Sequence, residues 1–81
     1  MRVRLRLFAI LRERTGISET EIEIAEGMTV AMAVEEVGRR FVMIADLLPR
    51  AAAAVNLAYA GRQDLLHDGD ELALIPPVSG G

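Results

Sequence analysis

The chain predicts an α+β domain in which a mixed sheet of about four to five strands is covered by one main helix, in the order ββαββ. Three observations lead there. Arg2, Arg4 and Arg6 alternate with Val3, Leu5 and Leu7, and Glu19, Glu21 and Glu23 alternate with Thr20, Ile22 and Ile24. Alternation of this kind belongs to strands with one face buried. Val30, Val34, Val37 and Phe41 recur at spacings of four, three and four, which gathers them on one stripe of a helix. Asp68-Gly69-Asp70 is a turn signal that opens a short apolar run, Glu71 to Ile75.

Each element follows from local chemistry. The first strand is expected over Arg2 to Ala9, a single helical turn over Ile10 to Arg14, and a reversal at Gly16 into a second strand, Ser18 to Ala25. The result is a wide hairpin. Antiparallel pairing sets the arginine row against the glutamate row, and each exposed pair contributes about 0.2–1 kcal/mol while helping to fix the register. That face is therefore read as structural and is assigned no function.

Gly27 ends the hairpin, and Thr29 is placed to cap a helix whose other side carries Glu35, Glu36, Arg39 and Arg40. Gly38 weakens the middle of that helix, and Pro49 ends an irregular helical stretch through Leu48. Met28, Met32 and Met43 read as packing residues. Arg50 to Ala60 holds four alanines that favour helix, but Val55, Asn56, Leu57 and Tyr59 suit a strand, and a strand leading to a turn at Gly61 is expected.

With 81 residues there is room for one core, and a domain of this size buries about 60–65% of the surface its unfolded chain exposes. Apolar residues make up 52% and aromatics only 4%, so the core should be aliphatic, joined by Phe8, Phe41 and Tyr59. The absence of cysteine excludes disulfides, thiolate metal sites and a cysteine nucleophile, and fits a reducing compartment. A net charge of −3 argues against nucleic acid as a partner. No export or membrane segment is visible, and a cytoplasmic location is expected. His67 sits beside a turn as a surface residue, and Asp68, Asp70 and Glu71 lack a full metal-ligand set, so no metal site is expected.

The chain ends in Ile75-Pro76-Pro77-Val78-Ser79-Gly80-Gly81. Two prolines donate no backbone hydrogen bonds, stop sheet pairing and stiffen the chain toward an extended form. Residues 1–75 are thus read as the globular domain and residues 76–81 as a projecting tail. Terminal glycines can pass through a narrow channel and leave the carboxyl uncrowded, so that a partner enzyme could activate it with ATP. All nine basic residues are arginine, so no lysine or cysteine side chain is present to capture an activated carbonyl.

Two strands, a covering helix and two more strands with such a tail resemble the ubiquitin-like β-grasp fold. Leu7-Phe8-Ala9 with Leu11-Arg12-Glu13, then Val55-Asn56, Asp68-Gly69-Asp70-Glu71 and the Pro-Pro-Val-Ser-Gly-Gly ending resemble the small, MoaD-type sulfur-carrier subunit of molybdopterin synthase. The resemblance runs nearly end to end and departs in the alanine-rich stretch before Val55.

It implies that Gly81 is adenylated by an ATP-using adenylyltransferase related to ubiquitin-activating enzymes. A sulfur-donor enzyme then converts it to a thiocarboxylate, which gives its sulfur to cyclic pyranopterin monophosphate inside the large synthase subunit. Gly80 would permit narrow passage, and Pro77, Val78 and Ser79 would dock the tail. The chain itself would bind no cofactor and be no enzyme on its own, with acids and bases supplied by the partners in a complex of two small and two large subunits. Phe8, Leu57 and Ile75 are candidates for the partner interface, although a core role is the stronger reading for each. A carrier for another thiolated product, such as thiamine thiazole, would share the fold and the ending, and so would a ubiquitin-like modifier.

Overall fold

The computed structural model describes residues 1–77. Its elements are β1 (Arg2–Leu7), α1 (Ala9–Thr15), β2 (Glu19–Glu23), α2 (Val30–Arg40), two single 3₁₀ turns at Val42–Ile44 and Leu48–Arg50, β3 (Ala52–Val55), β4 (Ala58–Ala60) and β5 (Glu71–Ile75). The sheet order is β2-β1-β5-β3-β4, with β1 and β5 parallel at its centre and every other neighbour antiparallel.

The arginine and glutamate rows meet as expected, with Arg2 opposite Glu23, Arg4 opposite Glu21 and Arg6 opposite Glu19. The ion pairs run partly on the diagonal, since Arg4 Nε lies 3.1 Å from Glu19 and Arg6 Nη1 lies 3.6 Å from Glu71 on β5. Alternation sends Val3, Leu5, Leu7 and Ile22 to the other side, where all are buried.

Thr29 caps α2: its side-chain oxygen accepts from the Met32 amide at 3.2 Å, and its backbone is extended. Val30, Ala33, Val34 and Val37 lie buried in one cluster with Leu5, Leu72 and Leu74. Leu11 from α1, Ile44 and Leu48 from the 3₁₀ turns and Leu66 complete one core. Among the described residues that core contains no buried polar or charged side chain. Arg62 donates to the carbonyls of Leu48, Pro49 and Ala51 at 3.1–3.3 Å, which satisfies backbone left open where the second 3₁₀ turn ends.

Several expectations require correction. The single strand expected over Arg50 to Ala60 is two strands, because the chain turns back on itself at Asn56 and Leu57. Both residues have positive φ, 51° and 71°, the geometry of a tight two-residue hairpin whose twist matches that of the flanking strands. The sheet therefore has five strands, and the expected ββαββ order gains a further strand and a second helix. The one turn expected over Ile10 to Arg14 is α1, seven residues closed by Gly16 at φ 73°. Pro49 lies inside the second 3₁₀ turn, where its missing N–H is not needed. Met28 packs on the core, but Met32 and Met43 are about half exposed, at 48% and 46%.

Candidate functional site: the outer face of the sheet

The sheet face turned away from α2 is divided by charge. One row crosses all five strands: Tyr59 stands opposite Ala54, Ala54 opposite Ala73, Ala73 opposite Arg6 and Arg6 opposite Glu19. The next row toward the chain end sets Ala52 opposite Ile75. On β2, β1 and the start of β5, where Glu71 stands opposite Arg4, this face carries the Glu–Arg lattice, whereas the rest of β5, with β3 and β4, carries alanine, isoleucine and tyrosine.

The small side chains of Ala54 and Ala73 are buried but stand outside the core, and they form a low floor between Arg6 and Tyr59. Phe8 continues the parity of Arg4 and Arg6, and the Arg6 guanidinium lies 5.2 Å from the centre of its ring. Phe8 and Ile75 are half-buried. Tyr59 is 81% exposed and Leu57, at the hairpin tip, 85%. An aromatic and aliphatic surface around a shallow floor, rimmed by charge, has the composition of the central part of a protein interface.

Here the structure separates residues the sequence had grouped. Leu57 is no core residue, since among the described residues none folds over the tip that carries it. Tyr59, assigned to the core, is the most exposed aromatic side chain, and sequence reasoning missed it as an interface candidate. The signal was present: placing the turn at Asn56–Leu57 puts Tyr59 in register with Ala54, on the face away from Ala53. Phe8 and Ile75 do lie on the same face.

The tip is tied to the strand that leads to the chain end. Asn56 Nδ2 donates to Asp70 Oδ1, Asn56 Oδ1 accepts from the Glu71 amide, and the Asn56 amide donates to the Glu71 carbonyl, each at 2.9 Å. Asp70 Oδ2 also accepts from the His67 amide at 2.8 Å, and Asp68 Oδ1 from the Arg2 amide at 2.7 Å. The acidic side chains of this turn are thus occupied with backbone donors around Gly69, whose φ is 88°. A leucine at φ 71° costs about 1 kcal/mol relative to glycine.

β5 runs between β1 and β3 and releases the chain at Pro76 and Pro77, the latter exposed. The remaining tail residues singled out by sequence, Val78, Ser79, Gly80 and Gly81, lie outside the described residues, as does the expected projection of that segment.

A five-stranded mixed sheet with a parallel central pair, covered on one side by a capped helix, defines a ubiquitin-like β-grasp domain. The sequence matches the ThiS family over residues 5–81, and the chain belongs to that family. It is 30% identical to an Arabidopsis thaliana molybdopterin synthase sulfur carrier subunit, across 98% of this chain and 82% of that one. It is 33% identical to the Mycobacterium tuberculosis protein of the same name, across 100% of this chain and 99% of its relative. Among solved structures, SAMP1 from Haloferax volcanii superimposes with a TM-score of 0.86 at 26% identity, with both chains fully covered.

Proposed function

We propose that this chain is the sulfur carrier of a molybdopterin synthase, acting as its small subunit. The observation that carries this reading is the end-to-end match to relatives of that name, which reaches the Gly80-Gly81 ending. The β-grasp body serves as a handle and the chain end as the reacting group. An adenylyltransferase partner joins the Gly81 carboxylate to the AMP portion of ATP and releases pyrophosphate. A sulfur-donor enzyme then displaces AMP to leave a thiocarboxylate, a good nucleophile at neutral pH. Inside the large subunit that sulfur attacks cyclic pyranopterin monophosphate, and hydrolysis returns the carboxylate for another cycle.

The chain supplies no acid, base or cofactor to these steps. Its role is to bind and to deliver, in a cytosolic assembly of two small and two large subunits. Phe8, Ile75 and Tyr59 on the outer face dock against the large subunit, with Pro77, Val78 and Ser79 guiding Gly80 and Gly81 into its pocket. Because β5 carries both Ala73 and Ile75 and leads directly into Pro76, docking that face also sets where the tail enters.

The deciding experiment adds the large subunit and cyclic pyranopterin monophosphate to the thiolated chain. Dithiolene product supports the proposal; thiolation without product points to a carrier for another acceptor.

A second reading, a protein modifier, is favoured by the close superposition on SAMP1, the small archaeal modifier protein 1 of Haloferax volcanii. Intact-mass spectrometry after activation separates the two. Exchange of one oxygen for sulfur marks the carrier, and covalent adducts with other proteins mark the modifier.

A further inference from the structure

Asn56 and Leu57 form an arrangement that folding alone does not account for. Leu57 occupies left-handed backbone and keeps an apolar side chain 85% exposed. Glycine would avoid both penalties, and Asn-Gly is the favoured pair for such a turn. Besides Asn56 and Leu57, Ala9 is the other non-glycine residue with positive φ among the described residues, at 50°, and it directly follows Phe8. Asn56 and Leu57 follow Val55 at the start of β5, whereas Ala9 follows Phe8 near the other end of that strand. The left-handed backbone at Leu57 is not offset by packing of the leucine side chain, which is 85% exposed, and strain retained in this way clusters at functional surfaces.

What keeps the strain in place is Asn56. Its side chain and amide make three hydrogen bonds of 2.9 Å to Asp70 and Glu71, so the tip cannot pivot independently of β5. We propose that Asn56 is a positioning residue, holding Leu57 as an additional specificity contact for the large synthase subunit. This inference rests on the docking reading above. The matching feature on the partner is an apolar recess, because an isolated exposed leucine has only desolvation and dispersion to offer. Leu57 thereby extends the docking surface past Tyr59, to the end of β5 opposite Ile75.

The test measures Kd for the large subunit by calorimetry, and thermal unfolding in parallel, on the full chain. Leu57→Gly should keep or raise Tm while weakening Kd at least about fivefold, a combination that general destabilisation cannot produce. Asn56→Ala should lower Tm and weaken Kd. Placed in the Leu57→Gly background, Asn56→Ala should lower Tm again yet leave Kd within about twofold, because a residue acting through Leu57 has nothing left to position. Equal affinity losses from Asn56→Ala in both backgrounds would overturn the positioning role. Wild-type Kd for Leu57→Gly, alongside lost binding for Tyr59→Ala, would overturn the inference and leave the docking reading intact. Unchanged Kd in both variants would sink the docking reading and this inference together.

Discussion

Tyr59 lies directly across the β3–β4 hairpin from Ala54, and the alanine is buried while the tyrosine is 81% exposed. The small residue closes the sheet surface, and the large one stands above it without being covered. An aromatic ring so placed contributes little to folding and is well suited to binding, where tyrosine is among the residues that dominate interface energy.

Tyr59→Ala is accordingly expected to change folding stability by no more than about 0.5 kcal/mol, the range of surface substitutions away from special features. The same change should weaken binding to the large synthase subunit at least about tenfold, the threshold of about 1.4 kcal/mol in binding energy. Thermal unfolding and calorimetric titration of one preparation test both halves. A large drop in Tm would return Tyr59 to a structural role.

Removal of Gly81 should separate chemistry from folding. The core runs from Val3 to Leu74, so Tm should stay within about 1 °C, consistent with a loss of well under 0.5 kcal/mol. Thiolation by the activating partner and a sulfur donor should disappear, as read by intact mass. Retained thiolation of the shortened chain would contradict the role given to Gly81.

Gly38→Ala should stabilise the protein by about 0.5–1 kcal/mol. Gly38 lies in the middle of α2 without a positive φ, and a Cβ there would meet Leu48 Cδ1 at 3.5 Å and Ala45 Cβ at 3.7 Å, ordinary contact distances. Chemical denaturation gives the sign directly. A decrease would mean that the 3₁₀ segment behind the helix cannot accommodate one more methyl.

Glu36 provides a pH signature. The hydrogen bond from Arg40, opposed by partial desolvation and reinforced by the charge of Arg40 and by Arg39, holds its carboxyl below the ordinary carboxylate range. A folded-state pKa below the unfolded one means that the stabilisation is fully present above the unfolded value and is lost as pH falls through the folded value. Glu36→Gln should thus lower stability near neutrality and shrink the difference from wild type in acid. A difference independent of pH would argue against the ion-paired description.

How far the chain could be read before folding varies by element, for physical reasons. The alternation of the arginine and glutamate rows, the Thr29 cap and the Gly69 turn are local patterns, and the structure has all three. The Asn56–Leu57 hairpin escaped notice because no glycine marks the residue at φ 71°, and the run of alanines before it carries little strand signal of its own. β3 exists through its pairing with β5, with Ala53 opposite Leu74, so a weak local preference is overridden by the strand beside it. Tyr59 followed the same error, since one missed reversal sends each later side chain to the wrong face. At the candidate site, the sequence singles out Phe8, Leu57 and Ile75 alike as interface candidates with core the stronger reading for each, and nothing local shows that Leu57 and Tyr59 stand exposed.

Residue order was sufficient for an α+β chain with a charged hairpin, one capped amphipathic helix and an ending suited to activation, because periodicity, capping and backbone restriction act within a few residues. The division of the outer face into a charged half and an apolar half was settled only by folding. It depends on β5 entering between β1 and β3, which sets Ala73 and Ile75 beside residues some twenty to seventy positions away. Contacts across such separations come from sheet register and core packing, which no short stretch of sequence encodes.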